Sequence, residues 1–139
     1  MSRREKFRVG LNPLYLPYYD ELCELLPENW HPYQGLRTIA EQNALYEQGR
    51  TKPGNIVTNA KGGSSYHNYG LAIDLVQMID GKVNWNFDYK KLKPYADKYG
   101  IVWGGTFKSI VDKPHFEISF GFKPSQLKNM RIENNYVVL

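Results

Sequence analysis

The sequence predicts an α+β fold in which helices flank a small antiparallel sheet. Two observations support this prediction. Short apolar runs are separated by turns rich in Gly and Asn, and segments with helix-capping signals lie between those runs. The chain has 139 residues, of which 42% are hydrophobic and 23% charged, a composition typical of one compact domain. We therefore expect residues 1–139 to form a single domain.

Helix signals occur at four places. Thr38 is a good N-cap, and Glu41 three residues later completes a capping-box pattern for a helix that ends near Gly49. Pro27 and Gly100 are expected to end two other helices. Besides the helix after Thr38, the predicted helices cover residues 20–26, 88–99 and 125–130.

Strands are predicted for short apolar or alternating runs, namely residues 33–37, 71–76, 101–103 and 115–120. Residues 79–82, with the sequence Ile-Asp-Gly-Lys, predict a turn that returns the chain through Val83 and Trp85. Residues 50–65 are rich in Gly, Asn, Thr and Lys, so we expect a loop. A loop of this length in a small domain is often functional.

Charge and hydropathy exclude several classes of protein. The net charge is +4, and the only dense basic cluster, within residues 3–8, is interpreted as a mobile, solvated tail. No known nucleic-acid-binding motif occurs, so we expect no nucleic-acid partner. No apolar run is long enough to span a membrane, and we expect no stable membrane insertion. The segment 9–19 is broken by Asn12, Pro13 and Pro17, so it does not resemble a secretory signal.

Three side chains have the chemistry of a catalytic metal site. Such a zinc site needs three protein ligands and one open position, and two His with one carboxylate meet that need. His67 and Asp74 are seven residues apart, and Gly70 between them permits a sharp approach. Asp74 lies in an apolar run, where a carboxylate is costly unless it is paired or metal-bound. His115 begins another apolar run, after Pro114.

From spacing alone, other interpretations stay open. His67 could be a loop histidine, Asp74 a hydrogen-bond acceptor near a turn, and His115 a core histidine with satisfied hydrogen bonds. Glu117 lies two residues after His115, so in a strand its side chain faces the same side.

The single cysteine, Cys23, excludes an internal disulfide and a cysteine-based zinc site. It is interpreted as a small buried hydrophobe.

The order of these residues resembles a known family. The pattern Ser65-x-His67-x-x-Gly70-x-Ala72-x-Asp74, followed by Asp112-x-Pro114-His115-Phe116-Glu117, resembles the LAS group of zinc peptidases, the peptidase M15 family. The resemblance covers residues 33–130. It includes Gly35-Leu-Arg37-Thr38, Glu41-Gln42, Gln48-Gly49-Arg50-Thr51, Val57-Thr58-Asn59-Ala60 and Trp103-Gly104-Gly105.

The resemblance implies a Hedgehog/DD-peptidase-like fold and a role for each matching residue. His67, Asp74 and His115 match the zinc ligands. Asp112 matches the catalytic acid/base, and Arg37 matches the arginine that faces the scissile carbonyl. Supporting roles are implied for Ser65 and Gln42, and Glu117 is the rival base or, in our preferred interpretation, the residue that orients a ligand. One departure is Phe107, where related sequences often carry Trp, and it is expected to alter only the cleft wall.

The closest resemblance is to L-alanyl-D-glutamate endopeptidases of bacteriophage endolysins and bacterial wall hydrolases. It implies that the substrate is bacterial peptidoglycan. We expect a monomer without a separate wall-binding domain. We expect an endolysin made in the host cytoplasm without a signal peptide, which reaches the wall through a phage-encoded membrane pore. The alternatives are a D-Ala-D-Ala carboxypeptidase or dipeptidase, and a non-catalytic, zinc-stabilised wall-binding module.

Overall fold

The computed structural model describes residues 2–27, 29–86 and 88–139. The helices are α1 Arg3–Arg8, α2 Leu16–Leu25, α3 Ile39–Glu47, α4 Lys93–Lys98 and α5 Pro124–Leu127. The strands are β1 Trp30–Gln34, β2 Ala72–Ile79, β3 Lys82–Asn84, β4 Val102–Trp103, β5 His115–Glu117, β6 Ile132–Glu133 and β7 Tyr136–Val137. Short 3-10 turns cover Tyr66–Tyr69, Tyr89–Leu92 and Gly104–Thr106. The predicted α+β class is confirmed.

Strand β2 is the centre of a five-stranded antiparallel sheet with the order β1-β2-β5-β4, in which β3 also pairs with β2. Asp74 of β2 pairs with Gln34 of β1 and with His115 of β5. The register therefore places Asp74 between these two residues on neighbouring strands. The predicted turn between β2 and β3 is confirmed, since Asp80 and Gly81 both have positive φ, 51° and 75°, as a tight hairpin requires.

The two faces of β2 have different surroundings. Ile73 and Leu75 are fully buried in the main core, together with residues of α2 and α4 and with Phe116 of β5. Successive side chains of a strand point to opposite faces. Asp74 therefore points away from this core, towards the side of the sheet that carries the site described below. Strand β2 thus places core residues on one face and Asp74, a candidate site residue, on the other.

Several predicted elements have different bounds. Helix α2 begins at Leu16, four residues before the predicted start. Pro17 lies in its first turn, where a residue without an N–H group loses no helical hydrogen bond. The predicted helix 88–99 is a 3-10 turn followed by α4, which again has its proline in the first turn. The capping box of α3 is confirmed: Thr38 accepts from the Glu41 amide, and Glu41 accepts from the Thr38 amide.

The interpretation of the basic N-terminal cluster as a mobile tail is wrong. Residues Arg3–Arg8 form α1, and Ser2 and Glu5 close a capping box at its start. Arg8 donates two hydrogen bonds of 2.9 Å to the carboxylate of Asp20 on α2. Helix α1 also packs against β1. None of the described helices has the length and apolar character needed to cross a membrane.

Candidate metal and active site

Three ligand atoms converge where β2, β5 and the 3-10 turn Tyr66–Tyr69 meet. His67 Nε2 lies 3.1 Å from His115 Nδ1 and 3.3 Å from Asp74 Oδ1. The distance from His115 Nδ1 to Asp74 Oδ1 is 3.7 Å, so the three ligand atoms form a small triangle. Among the described residues, these are the only three His, Cys, Asp or Glu side chains grouped closely enough to share one ion.

The hydrogen bonds of the two imidazoles decide which nitrogen of each ring carries its proton. His67 Nδ1 lies 2.8 Å from the Gly35 carbonyl, and a carbonyl can only accept, so Nδ1 donates. His115 Nε2 lies 2.7 Å from Glu117 Oε1 and donates to that carboxylate. In the neutral rings, the nitrogens that face each other are therefore both unprotonated acceptors. Three acceptors that meet at a point repel one another unless a cation or an added proton lies between them.

This donor set fits zinc. Zinc–nitrogen bonds of about 2.0–2.1 Å in a tetrahedral site imply ligand-to-ligand distances of about 3.3 Å, close to the three distances in the triangle. Asp74 Oδ1 is buried and has no hydrogen-bond partner. A buried polar atom without a partner is uncommon in a folded protein, and a cation would satisfy it. Two imidazoles and one carboxylate also leave a fourth tetrahedral position for solvent.

Burial and charge act in opposite directions on these groups. Burial raises the pKa of Asp74, but His67 and His115 outweigh it and hold that pKa well below its usual range. Burial lowers the pKa of His115, yet the neighbouring carboxylates of Asp74 and Glu117 raise it to about 9. In the metal-free chain, His115 therefore takes up a proton that a metal ion must displace.

Local backbone geometry explains how His67 reaches the site. Ser65 accepts a hydrogen bond of 3.2 Å from the His67 amide and caps the 3-10 turn. Gly70 ends the turn with φ at +67°, and a Cβ there would lie 2.4 Å from the Gly10 carbonyl oxygen. The Arg37 amide donates to the His67 carbonyl at 3.0 Å. Ser65 and Gly70 thus shape the backbone that presents His67.

Asp112 lies at the edge of the same site. Its Oδ2 atom is 3.9 Å from His115 Nδ1, and its carbonyl accepts from the His115 amide at 3.1 Å. A Cβ at Gly104 would lie 2.2 Å from the Asp112 carbonyl oxygen, so only glycine allows this approach. Burial, and then the charge of Asp74, raise the pKa of Asp112 above its usual value. A carboxylate with a raised pKa is better suited to accept and return a proton.

Arg37 is held next to the ligands by two amide side chains. Its Nη1 donates to Gln42 Oε1 at 2.9 Å, and its Nη2 donates to Gln34 Oε1 at 3.0 Å. Gln42 is fully buried, and its own amide nitrogen donates to the Ala60 carbonyl. Arg37 Nη2 also lies 3.7 Å from Asp74 Oδ2. The guanidinium is therefore fixed beside the three ligand atoms.

The structure thus brings together all eight residues singled out from the sequence. His67, Asp74 and His115 form the triangle, Asp112 and Arg37 flank it, and Ser65, Gln42 and Glu117 hold other members in place. Gln34 was missed by the sequence analysis. Its proximity to Arg37 depends on the pairing of β1 with β2, and no local pattern signals that pairing.

The site opens into a cleft of about 1000 Å³. One wall comes from the loop after α3, and residues 107–110 form a second wall. Asn59 Nδ2 donates to Ser109 Oγ at 3.0 Å and joins the two walls. Arg50 braces the first wall, because its guanidinium donates to the Thr58 carbonyl and to Asn59 Oδ1. The Phe107 ring centroid lies 5.6 Å from that of His115, so this departure from the family pattern does line the cleft.

Comparisons with known proteins find similarity to peptidases. A model of the peptidase M15 family, described as D-alanyl-D-alanine carboxypeptidase, matches residues 58–118. The peptidoglycan L-alanyl-D-glutamate endopeptidase CwlK of Bacillus subtilis (strain 168) is 46% identical over 96 residues, which covers 61% of this chain and 58% of CwlK. The chain therefore spans a little over half the length of this curated relative.

A solved structure supports the fold over most of the chain. The crystal structure of the Serratia marcescens L-Ala D-Glu endopeptidase ChiX superposes with a TM-score of 0.62 at 28% sequence identity. The match covers 86% of this chain and 88% of the ChiX chain. The shared architecture therefore extends well beyond the region matched by the family model.

Proposed function

We propose that this chain is a peptidase of the M15 family that hydrolyses the L-alanyl-D-glutamate bond of peptidoglycan stem peptides with a zinc ion held by His67, Asp74 and His115. The observation that carries the proposal is the convergence of two imidazole nitrogens and one carboxylate oxygen in an open cleft. Both relatives described above are named as endopeptidases of this bond, which favours it over other bonds of the wall.

A bound zinc ion supplies a Lewis acid that makes water nucleophilic near neutral pH. Asp112 accepts a proton from the attacking water and returns it to the leaving amine. Arg37 donates to the oxygen of the scissile carbonyl as negative charge develops there, an interaction that stabilises the transition state. Gln34 and Gln42 hold the guanidinium in place, so little reorganisation is needed during the reaction.

Glu117 is less suited to act as the base. It accepts from His115 Nε2, whereas the nitrogen that faces the other two ligand atoms is Nδ1. Its carboxylate therefore lies behind the ring, where it can orient His115 and strengthen it as a ligand. Asp112→Asn is expected to bind zinc and to lose activity. Full activity of that variant would remove Asp112 from the mechanism, and loss of both properties would assign it a structural role.

The rival activity is a D-Ala-D-Ala carboxypeptidase, and the description of the matching family model favours it. The two enzymes leave different products when purified peptidoglycan is digested. New amino groups on D-glutamate, detected by end-group labelling and mass spectrometry, are the result expected for the endopeptidase. Release of free D-alanine without new D-glutamate amino groups would establish the rival instead.

The biological setting as a bacteriophage endolysin stays a prediction, and the relatives reported above come from bacteria. The net charge of +4 supports attraction to an acidic wall polymer. We expect lysis of a producing bacterium only when the chain is expressed together with a membrane-pore protein. Lysis by the chain alone would contradict release through a separate pore.

A further inference from the structure

Tyr33 and Trp85 form an exposed aromatic pair at the edge of the cleft. Their ring centroids lie 5.0 Å apart, and the ring planes meet at 84°. Tyr33 is 40% exposed and Trp85 is 47% exposed. Trp85 lines the cleft, and Tyr33 directly precedes Gln34, which holds Arg37. The register of β1 and β2 shifts between Pro32 and Gln34, so Tyr33 lies at this irregularity of the strand.

This pair is unlike the other aromatic residues of the chain. Across residues 2–27, 29–86 and 88–139, every other Phe, Tyr and Trp is buried or half-buried. Single exposed apolar residues need no explanation, but here the two exposed rings contact each other and border a cleft. The Arg3 guanidinium lies 5.6 Å from the centroid of the Tyr33 ring and supports it from α1. The two rings therefore form an apolar corner, made of Tyr33 and Trp85, that is exposed to water.

We propose that Tyr33 and Trp85 bind a sugar ring of the glycan strand to which the stem peptide is attached. The proposal rests on the function proposed above. In peptidoglycan, the L-alanine of the stem is joined by an amide bond to the lactyl group of N-acetylmuramic acid. A sugar therefore lies only one residue from the scissile bond, and Trp85 lines the same cleft as Arg37 and the three ligand residues.

The chemistry of the corner suits a pyranose. The axial C–H groups of a sugar pack against an aromatic face, while the Tyr hydroxyl and the indole N–H can bond to its hydroxyl or acetamide groups. Aromatic side chains also lose little conformational entropy on binding. The corner would thus recognise the glycan, and the triangle of ligand atoms would act on the peptide. The chain would then select stem peptides still attached to the glycan over released ones.

Kinetics on two matched substrates test the proposal. One is the disaccharide-linked L-Ala-D-Glu peptide, and the other is the same peptide with an N-acetyl group in place of the sugar. Trp85→Ala should lower the ratio of kcat/KM between the first and second substrates by about tenfold, as expected for the loss of one stacking contact. Trp85→Phe should keep most of the ratio. Ile132→Ala, an exposed control away from the cleft at 66% exposure, should not change it.

A binding measurement separates this proposal from the proposed function. Trp30 and Trp103 are 2% and 7% exposed, so a sugar that reaches the surface should change the fluorescence of Trp85 alone. Titration with the disaccharide of N-acetylglucosamine and N-acetylmuramic acid should change the emission saturably, and Trp85→Phe should abolish that change.

An unchanged emission of the wild-type chain, or a change that persists in Trp85→Phe, would overturn the sugar site. So would an unchanged substrate ratio in Trp85→Ala while the wild-type chain cleaves both substrates. Failure of the wild-type chain to cleave either substrate would instead contradict the proposed function, and the titration would still decide on the sugar site.

Discussion

Glu117 Oε1 lies 2.7 Å from His115 Nε2, while the Nδ1 atom of the same ring faces His67 and Asp74. The carboxylate therefore fixes both the orientation of the ring and the nitrogen that stays free to bind a metal ion. It also places a negative charge next to the His115 ring, which makes Nδ1 a stronger electron-pair donor to a metal ion.

Replacement of Glu117 should therefore weaken metal binding. Glu117→Gln keeps the shape of the side chain and removes its charge, and we expect zinc affinity to fall by about 10- to 100-fold. Competition with a chromophoric chelator measures this affinity. Glu133→Gln, at an exposed ion pair with Arg131, is the matched control and should bind zinc like the wild type. Normal zinc affinity with lost activity in Glu117→Gln would indicate that Glu117, not Asp112, is the base.

The stability of the metal-free chain should depend on pH through His115. Its pKa in the folded chain is about 9, above the ordinary value of 6.5. A raised pKa contributes stability that is complete below pH 6.5 and is lost as the pH rises through about 9. The Tm of protein kept in a chelator should therefore fall between pH 6.5 and pH 9. His115→Gln should flatten this dependence, and a Tm of the wild-type chain that is constant over that range would contradict the assignment.

Arg37 and Gln34 should affect turnover to different extents. Arg37→Ala removes a donor to the developing oxyanion and should lower kcat by about 100-fold or more. Gln34→Ala leaves the guanidinium in place but frees its Nη2 group, and we expect a smaller loss, about tenfold. Gln126→Ala, at an exposed site on α5, is the control. Zinc content should be the same in all three variants. A Gln34→Ala enzyme with wild-type kcat would show that the second amide does not position Arg37.

Gly70 should not tolerate a side chain, and a comparison with Gly100 separates the steric reason from the conformational one. Gly70 and Gly100 both have φ at +67°, but a Cβ at Gly70 would meet the Gly10 carbonyl, whereas nothing lies within 4 Å of one at Gly100. Gly100→Ala should cost only the left-handed conformation, about 1–2 kcal/mol. Gly70→Ala adds the steric conflict, about 1–3 kcal/mol more, and should displace His67. Equal free energies of unfolding in urea for the two variants would contradict this explanation.

The elements that local sequence signals encode were predicted well. The capping box of Thr38 and Glu41 and the Asp80–Gly81 turn each depend on residues within four positions of one another, and both are confirmed. Helix α1 was missed although Ser2 and Glu5 carry the same capping signal, because the basic residues between and after them were interpreted only as charge. The β6–β7 hairpin was also missed, although Asn134 and Asn135 both take the positive φ typical of a tight turn.

What the sequence could not provide is strand register. The three ligand residues could be chosen from their chemistry and from the family pattern, but Gln34 and Tyr33 enter the site only because β1 pairs with β2 opposite Asp74. That pairing joins residues about 40 positions apart in the chain, and no periodicity within either strand specifies it. The aromatic pair of Tyr33 and Trp85 depends on the same register and on the return of the chain through β3.

The most direct test of the account is the zinc content of the purified chain, measured by mass spectrometry of the metal after dialysis, for the wild type and for Asp74→Ala. One zinc ion per wild-type chain is expected, with much less in the variant, because Asp74 Oδ1 is the buried acceptor that a cation must satisfy. A wild-type chain that cleaves peptidoglycan and retains no zinc, or an Asp74→Ala chain that retains a full equivalent, would contradict the central claim.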